Sequence, residues 1–327
     1  MTYLIRHLQN RNEEALARGK IGFYGGRKMS QLRDYIEKYP WESQRLVGLD
    51  YEQLIELINQ AQRLHNQKTQ EAEQKKRRII KAGGGPKSKL SEAEQVLLTL
   101  TYLHHLPTFQ MLGIQFGVSE STANYIFHEW LEILRDLLPA SLLEQVKKKE
   151  SEWEWVKEIL REFELIVDGS EQPRERPTEY VEQKKFSSGK QKKHTFKNQL
   201  IVVPSGKEIV DVVVGKPGAT SEINIWRERR QEFSENQKFQ GDKGYVGESA
   251  IDVPHKKKKT QGLTEQQKQE NHSKARKRIV VEHLIRLVKI FRIAAERFRL
   301  KSSSYEPVIL AVCGLVRWRI GAFIFSS

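Results

Sequence analysis

Residues 163–170 read Phe-Glu-Leu-Ile-Val-Asp-Gly-Ser, a short apolar run that ends in an aspartate followed by a glycine. Leu165, Ile166 and Val167 are typical of a strand that is buried on both faces. Aspartate is a poor strand residue, and an isolated buried carboxylate is costly. Asp168 therefore marks either an ordinary turn or a functional strand end, and this stretch alone does not separate the two.

Two further acidic positions favour a functional site. Residues 239–245 read Phe-Gln-Gly-Asp-Lys-Gly-Tyr and place Asp242 at the end of a second apolar stretch. Glu282 follows inside a basic segment with helical periodicity. Carboxylate oxygens are the ligands that hard divalent cations such as Mg²⁺ and Mn²⁺ prefer. Two strand-end aspartates and a helical glutamate thus predict a site for two divalent ions.

The chain is strongly basic, with 56 Lys and Arg against 42 Asp and Glu among its 327 residues and a net charge of +14. This excess predicts a polyanionic partner, nucleic acid before a membrane, although a generally basic soluble protein stays possible. The single cysteine, Cys313, excludes an internal disulfide and a cysteine-rich zinc site. We find no signal-peptide pattern, and the most apolar segment, 308–316, is too short to span a bilayer. We therefore expect an intracellular protein without a membrane partner.

Residues 1–85 form a predicted N-terminal helical region with a linker. Asp50 is expected to cap an amphipathic helix that continues into a charged run. The glycines at 83–85, followed by Pro86, are typical of a linker. Two roles stay open for the charged helix: an arm that clamps DNA or forms a dimer, or a solvated helix that packs on the next part of the chain.

Residues 86–145 carry the pattern of a helix-turn-helix DNA-binding domain. A capping box at Ser91 and Glu94 opens one helix, Gly117 ends a short second helix, and Ser119 caps a third with an apolar stripe. In this motif the start of the third helix enters the major groove. The predicted DNA contacts there are Ser119, Glu120, Ser121, Thr122, Asn124 and His128. An ordinary three-helix packing unit is the alternative.

Residues 146–327 predict an α/β catalytic domain with a mixed sheet. The predicted elements are a strand ending at Asp168, a loop over 171–189, hairpin arms over 195–203 and 208–214, helices over 221–233, 274–298 and 306–323, and a strand ending at Asp242. This order is that of the RNase H-like fold, in which the first and fourth strands are neighbours. We therefore expect Asp168 and Asp242 to meet at one end of the sheet, with Glu282 projecting toward them from the long helix.

A basic loop precedes the hairpin. Lys190, Lys192, Lys193 and His194 are candidates for contacts with the DNA backbone, and a solvated basic loop is an equally good interpretation.

From the helix-turn-helix onward, the chain resembles bacterial insertion-sequence transposases of the DDE superfamily and the Harbinger-type transposases that share their nuclease domain. Arg278, Glu282 and Lys289 stand at the spacing of the last three residues of the signature Tyr-x2-Arg-x3-Glu-x6-Lys, with Ala275 in the place of the tyrosine. The sequences at 168–169 and 241–245 match the other two acidic motifs. Where the family has a His-Asp pair after a Pro-Gly turn, this chain has Ser221-Glu222, and we assign that pair no role.

The resemblance implies a transposase that binds the terminal inverted repeats of its element as a homo-oligomer. It implies DNA cleavage with two Mg²⁺ or Mn²⁺ ions, followed by strand transfer into target DNA. Asp168, Asp242 and Glu282 would be the metal ligands, and Arg278 and Lys289 would hold flanking phosphates. In a bacterium the protein would be cytoplasmic and associated with the nucleoid. A domesticated endonuclease or a DNA-binding regulator of the same fold is the alternative, although a regulator would be expected to lose at least one carboxylate.

Overall fold

The computed structural model describes residues 31–75, 88–147, 150–257 and 262–322. The helices are α1 (Gln31–Lys38), α2 (Ser43–Val47), α3 (Tyr51–Lys75), α4 (Glu92–His105), α5 (Phe109–Phe116), α6 (Glu120–Leu137), α7 (Leu142–Val146), α8 (Glu150–Leu160), α9 (Tyr180–Phe186), α10 (Glu222–Arg229), α11 (Glu265–Lys289) and α12 (Tyr305–Arg319). The strands are β1 (Leu165–Pro173), β2 (Thr195–Val202), β3 (Ile209–Pro217), β4 (Phe239–Gln240) and β5 (Ile251–Asp252). Residues 1–30 of the predicted N-terminal region and the glycine linker lie outside the described residues.

The helix-turn-helix forms as its capping residues predict. Ser91 and Glu94 make both bonds of the capping box at the start of α4. Gly117 ends α5 at φ 69°, in the left-handed region that glycine enters without strain. The Ser119 hydroxyl accepts a hydrogen bond from the Thr122 amide at 3.1 Å and caps α6. The predicted apolar stripe of α6 is buried: Ala123, Ile126, Phe127, Trp130, Leu131 and Leu134.

The strands form one mixed sheet in the order β3-β2-β1-β4-β5. β1, β2 and β3 pair antiparallel in sequence order, and β4 then pairs parallel with β1 on its other side. The central strand is therefore β1, and its apolar run is buried on both faces. Leu165 and Val167 belong to one hydrophobic core, and Ile166 belongs to the other. The prediction of an RNase H-like mixed sheet preceded by an all-α region is confirmed.

Helices cover both faces of the sheet. α7, α8 and α10 bury Val146, Leu160 and Trp226 on the face that carries Leu165 and Val167. α11 covers the opposite face with three buried aliphatic side chains, Val281, Leu284 and Val288. Cys313, on α12, is buried, as its apolar surroundings predict. Among the described residues, no helix combines the length and the apolar character needed to cross a membrane.

The helix-turn-helix shares its hydrophobic core with the part of the chain that contains the sheet. α6 packs on α12, and α4 packs on the short turn that follows α11. Residues on both sides of position 145 fill this one core, so the core does not divide the chain there. The predicted domain boundaries at 85 and 145 therefore stay predictions.

A buried arginine joins the two parts. The Arg317 side chain is fully buried and donates to both carboxylate oxygens of Glu208, at 2.6 and 2.9 Å. It also donates to the carbonyl of Pro139 at 2.8 Å and to the side-chain oxygen of Gln145 at 2.9 Å. The connection after α6 is thus fixed to α12 and to the start of β3.

Two sequence predictions are wrong in this part of the chain. The loop predicted over 171–189 is partly ordered, because β1 continues to Pro173 and α9 follows. Polar residues fit inside the strand because they find partners: Gln172 is buried and donates to the carbonyls of Ile293 and Glu296.

The long helix predicted over 274–298 begins and ends nine residues earlier. A capping box between Thr264 and Gln267 starts it, and at its other end the chain leaves the helix after Lys289 to bury Phe291 against the His104 ring.

We expect Arg317→Met to lower the free energy of unfolding by about 3–5 kcal/mol, because it leaves the Glu208 carboxylate largely buried without its cation. Urea denaturation monitored by tryptophan fluorescence would measure the loss. The double variant Arg317→Met with Glu208→Leu should recover much of it, since no buried charge is then left unpaired. A single variant as stable as the wild type would contradict this role of the pair.

Candidate active site

The first two acidic residues lie side by side at one end of the sheet. The pairs Leu165–Phe239 and Ile166–Gln240 set the register between β1 and β4, which brings Asp168 level with Asp242 two residues further on. Asp168 Oδ1 accepts a hydrogen bond from the Gly169 amide at 2.8 Å. Asp242 Oδ1 accepts one from the Gly244 amide at 2.6 Å and caps the helical turn that follows β4.

The long helix α11 brings the three residues with the signature spacing, Arg278, Glu282 and Lys289, to the same end of the sheet. Asp168, Glu282 and Lys289 line one open cavity of about 220 Å³. Arg278 lies one helical turn before Glu282, with its Nη2 atom 3.8 Å from Glu282 Oε1. Asp242 adjoins the cavity rather than lining it. The structure therefore places all five residues predicted as catalytic at one edge of the sheet.

Glu222 also lines this cavity, as does Glu171, and sequence reasoning assigned neither of them a role. Glu222 begins α10 and lies between the two glycines that follow the aspartates. A Cβ atom added at Gly169 would lie 3.0 Å from the Glu222 carboxyl carbon. One added at Gly244 would lie 2.9 Å from Glu222 Oε2 and 2.8 Å from Asp242 Oδ1. The two glycines thus leave the space in which Glu222 approaches both aspartates. The available signal was its acidic character at the position where the resembling family has aspartate.

Burial and neighbouring charges raise the pKa values of two of the carboxylates. Burial raises the pKa of Asp168 to about 6, and the charges of Asp242 and Glu222 add to this, while the Gly169 amide and Arg278 oppose it. Burial also raises the pKa of Glu222, the charge of Asp242 adds to it, and Lys190 and Lys197 oppose it. The ionised forms of Asp168 and Glu222 are therefore disfavoured where they lie, and a bound cation would relieve this cost.

The oxygen donors present fit a hard divalent cation. Carboxylates are the protein ligands that Mg²⁺ and Mn²⁺ prefer, and their mutual repulsion is relieved when a cation binds between them. Asp168 and Asp242 would hold the ions from the sheet edge and Glu222 from the start of α10, and Glu282 would face them from α11. In the described part of the chain, no three His, Cys, Asp or Glu side chains converge closely enough to enclose an ion as they stand. Glu282 is directed instead toward Arg278, and its side chain is 53% exposed.

The predicted basic loop forms a tight hairpin beside the cavity. Ser188 donates from its amide to the Lys193 carbonyl at 2.9 Å, and Lys192 donates to the Ser188 carbonyl at 2.8 Å. Lys190 lines the cavity together with Lys289. Lys192, Lys193 and His194 belong to the same hairpin but lie outside the cavity lining. The hairpin thus adds one cation to the site and carries three nearby basic side chains.

A second basic residue, Lys197, was not singled out from the sequence. Its ammonium group lies 3.5 Å from Glu171 and donates to the Thr220 carbonyl at 2.7 Å. Lys197 is buried in β2, and its place in the strand sequence gives no sign that its side chain lies near the site. It fixes the segment that leads into Glu222.

The predicted DNA-contacting residues of the helix-turn-helix gather at the start of α6. Ser119, Glu120, Ser121 and Thr122 are exposed, and Asn124 and His128 are partly buried. The Ser119 hydroxyl is occupied by capping α6. Burial lowers the pKa of His128, which favours its neutral form. Tyr125, which was not predicted, is 65% exposed on the same helix.

The chain matches known transposases along both parts. Residues 167–317 match the family described as DDE superfamily endonuclease, and residues 88–140 match the helix-turn-helix of DDE superfamily endonuclease. A probable transposase for insertion sequence element IS702 from Microchaete diplosiphon is 34% identical over 219 residues, which is 66% of this chain and 76% of the relative.

Two solved structures are much more distant. A Mos1 transposase paired-end complex with left transposon end is 13% identical, covers 71% of this chain and 87% of its own, and has a TM-score of 0.18. A pre-cleavage Mos1 transpososome is 12% identical, covers 70% of this chain and 86% of its own, and has a TM-score of 0.17. These scores are too low to carry an argument about this molecule.

The family assignment rests on the sequence matches. The first segment, 167–317, contains Asp168, Asp242, Glu222 and Glu282, and the second segment contains α6 with its predicted DNA contacts. From these matches and the identity to the insertion-sequence relative, the chain belongs to the insertion-sequence transposases of the DDE superfamily of endonucleases.

Proposed function

We propose that this transposase binds the terminal inverted repeats of its element through α6, and cleaves and joins DNA at the cavity beneath α11. The observation that carries the proposal is the convergence of Asp168, Asp242, Glu222 and Glu282 on one edge of the sheet, with cationic side chains around them. Carboxylates gathered in this way are the protein ligands that hard divalent cations prefer, and two Mg²⁺ or Mn²⁺ ions are the expected cofactors.

Each residue of the site has a role that follows from its charge and position. Asp168 and Asp242 would hold the ions from the sheet edge, Glu222 would do so from the start of α10, and Glu282 would complete their coordination from α11. When bound, the ions supply charge neutralisation at the scissile phosphate and activate the attacking oxygen. Arg278 and Lys289 would bind the phosphates on either side, because guanidinium and ammonium groups bind phosphate oxygens strongly. Lys190 would do the same from the hairpin.

DNA binding is proposed for two surfaces. The start of α6 would read base edges in the major groove of the terminal repeat. The hairpin that carries Lys192, Lys193 and His194 would contact the backbone near the cleavage site. Target DNA would occupy the same cavity during strand transfer. We further propose that the protein acts as a homo-oligomer on DNA, in the cytoplasm of a bacterium and at its nucleoid.

A second candidate function is a domesticated endonuclease of the same fold. The intact set of carboxylates argues against a purely regulatory DNA-binding protein. A domesticated enzyme and a mobile one would share the cavity, and they would differ in whether terminal inverted repeats flank the reading frame. Cleavage that requires the repeat sequence would favour the transposase.

We expect Asn124→Ala to weaken binding to the terminal repeat by about 1–3 kcal/mol and to leave binding to random DNA nearly unchanged, because one base contact is lost. Fluorescence anisotropy with competitor DNA would measure both affinities. Asn66→Ala, at an exposed position on α3, is the matched control and should change neither. An equal loss on the two DNAs would show that Asn124 does not read bases.

We expect Glu282→Gln to reduce cleavage of a terminal-repeat duplex in Mg²⁺ by about three orders of magnitude, since a metal ion contributes several kcal/mol to stabilising the transition state. Folding and DNA affinity should persist, because the Glu282 side chain is more than half exposed and packs little. The rates would be compared at equal DNA occupancy.

The control for this experiment is Glu265→Gln, which makes the same change on the exposed first turn of the same helix. It should cleave like the wild type. Equal rates for the wild type and Glu282→Gln would contradict the proposed function.

A further inference from the structure

Gln199 lies in the middle of β2, directly opposite Gly169 in the β1–β2 register. It is therefore one residue away from the level of Asp168. Only 1% of Gln199 is exposed. A long polar side chain buried at the centre of a sheet is costly unless its amide is hydrogen-bonded.

The Gln199 amide joins two separate segments of the site. Nε2 donates to the backbone carbonyl of Glu222 at 2.9 Å and to the hydroxyl oxygen of Tyr245 at 2.9 Å. Glu222 begins α10, and Tyr245 lies three residues after Asp242. Both amide hydrogens are thus used to connect the segment that carries Glu222 with the turn that carries Asp242.

Tyr245 is itself part of this connection. Its side chain is fully buried, and burial raises its pKa well above the ordinary value, with the charges of Glu222 and Asp168 adding to the shift. The hydroxyl consequently stays protonated and is held among the carboxylates. The Gly241 position, where an added Cβ would lie 2.8 Å from the Tyr245 ring, is tightly packed against it.

Electrostatic repulsion acts against this arrangement. Glu222, Asp168 and Asp242 carry like charges, and repulsion between them acts to separate the segments that carry them. The packing of Tyr245 with Trp226 in one core and the two Gln199 hydrogen bonds both oppose that separation.

We infer that Gln199 is a positioning residue, which holds the Glu222 and Asp242 segments at the separation needed to bind divalent cations. The inference rests on the proposed function, because it concerns the same cavity. Gln199 would touch neither DNA nor metal. It would act through the backbone of Glu222 and through the turn that carries Asp242.

The test compares Gln199→Leu with a matched control, Gln172→Leu. Gln172 is also a 1%-exposed glutamine in the sheet, and it donates to two backbone carbonyls, but those belong to Ile293 and Glu296, away from the carboxylates. Both changes remove a buried amide of the same size. The Gln172 oxygen also accepts a hydrogen bond from the Tyr305 hydroxyl, and none of the segments bonded to Gln172 carries a proposed metal ligand.

Two quantities would be measured for each full-length protein. The first is the apparent dissociation constant for Mn²⁺ without DNA, from the electron paramagnetic resonance signal of free Mn²⁺. The second is the Mg²⁺ concentration that gives half-maximal cleavage. For Gln199→Leu we expect both to rise by about 10–100-fold, the range found when groups that orient metal ligands are removed. For Gln172→Leu we expect both to stay at the wild-type values, even if its unfolding temperature falls.

Tyr245→Phe keeps the test decisive if Gln199→Leu does not fold. It deletes one oxygen and leaves the bond to the Glu222 carbonyl, so a smaller shift in the same direction is expected. The inference would be overturned if Tyr245→Phe, and Gln199→Leu where it folds, bound metal as tightly as the wild type. It would also be overturned if Gln172→Leu shifted the metal affinity as much as these variants do. A wild-type protein that binds Mn²⁺ but does not cleave DNA would instead count against the proposed function, so the two failures are distinguishable.

Discussion

The parallel pairing of β4 with β1 is the contact on which the site depends. β4 has two residues, yet its position beside the central strand brings Asp242 level with Asp168. Phe239 is buried against Trp226 and Phe233, with ring centroids 5.4 and 5.2 Å away, and this packing holds the short strand in place. A shift of one residue in this register would turn Asp242 to the other face of the sheet.

The burial that fixes the central strand also makes the ionised carboxylates of the site less stable. Hydrophobic burial on both faces of β1 fixes the strand, and the same burial raises the free energy of the ionised Asp168 carboxylate. Glu222 adds a further negative charge where two glycines leave room. The protein meets this cost with a few hydrogen bonds to backbone amides, with Lys197 beneath the site and with Lys190 at its rim. A bound divalent cation would offset the part of this free-energy cost that these groups leave.

The shared core has a consequence for how recognition and cleavage are connected. α6 packs on α12, and Arg317 fixes the connection after α6 to β3. The helix proposed to read DNA therefore keeps a set orientation relative to the sheet. On the proposed function, this fixed orientation would set the distance between the sequence bound by α6 and the bond cleaved at the carboxylates.

Much of this arrangement could be predicted from local sequence signals. Caps at Ser91 and Ser119, the turn at Gly117 and the strand-end aspartates act within a few residues, so their patterns are visible in the chain. The polar end of β1 was missed because its partners, such as the Ile293 carbonyl for Gln172, lie more than a hundred residues away. Glu222 and Gln199 were missed because only the folded structure, through the sheet register and the close approach at Gly169, brings them to the aspartates.

The proposed function depends above all on divalent-cation binding by the carboxylates at this sheet edge. A crystal structure of the protein with Mn²⁺ and terminal-repeat DNA, with data collected at the manganese absorption edge, tests it directly. We expect anomalous density between Asp168, Asp242 and Glu222, with Glu282 turned from Arg278 toward the ions. Well-ordered DNA in the cavity with no anomalous density among these carboxylates would contradict it.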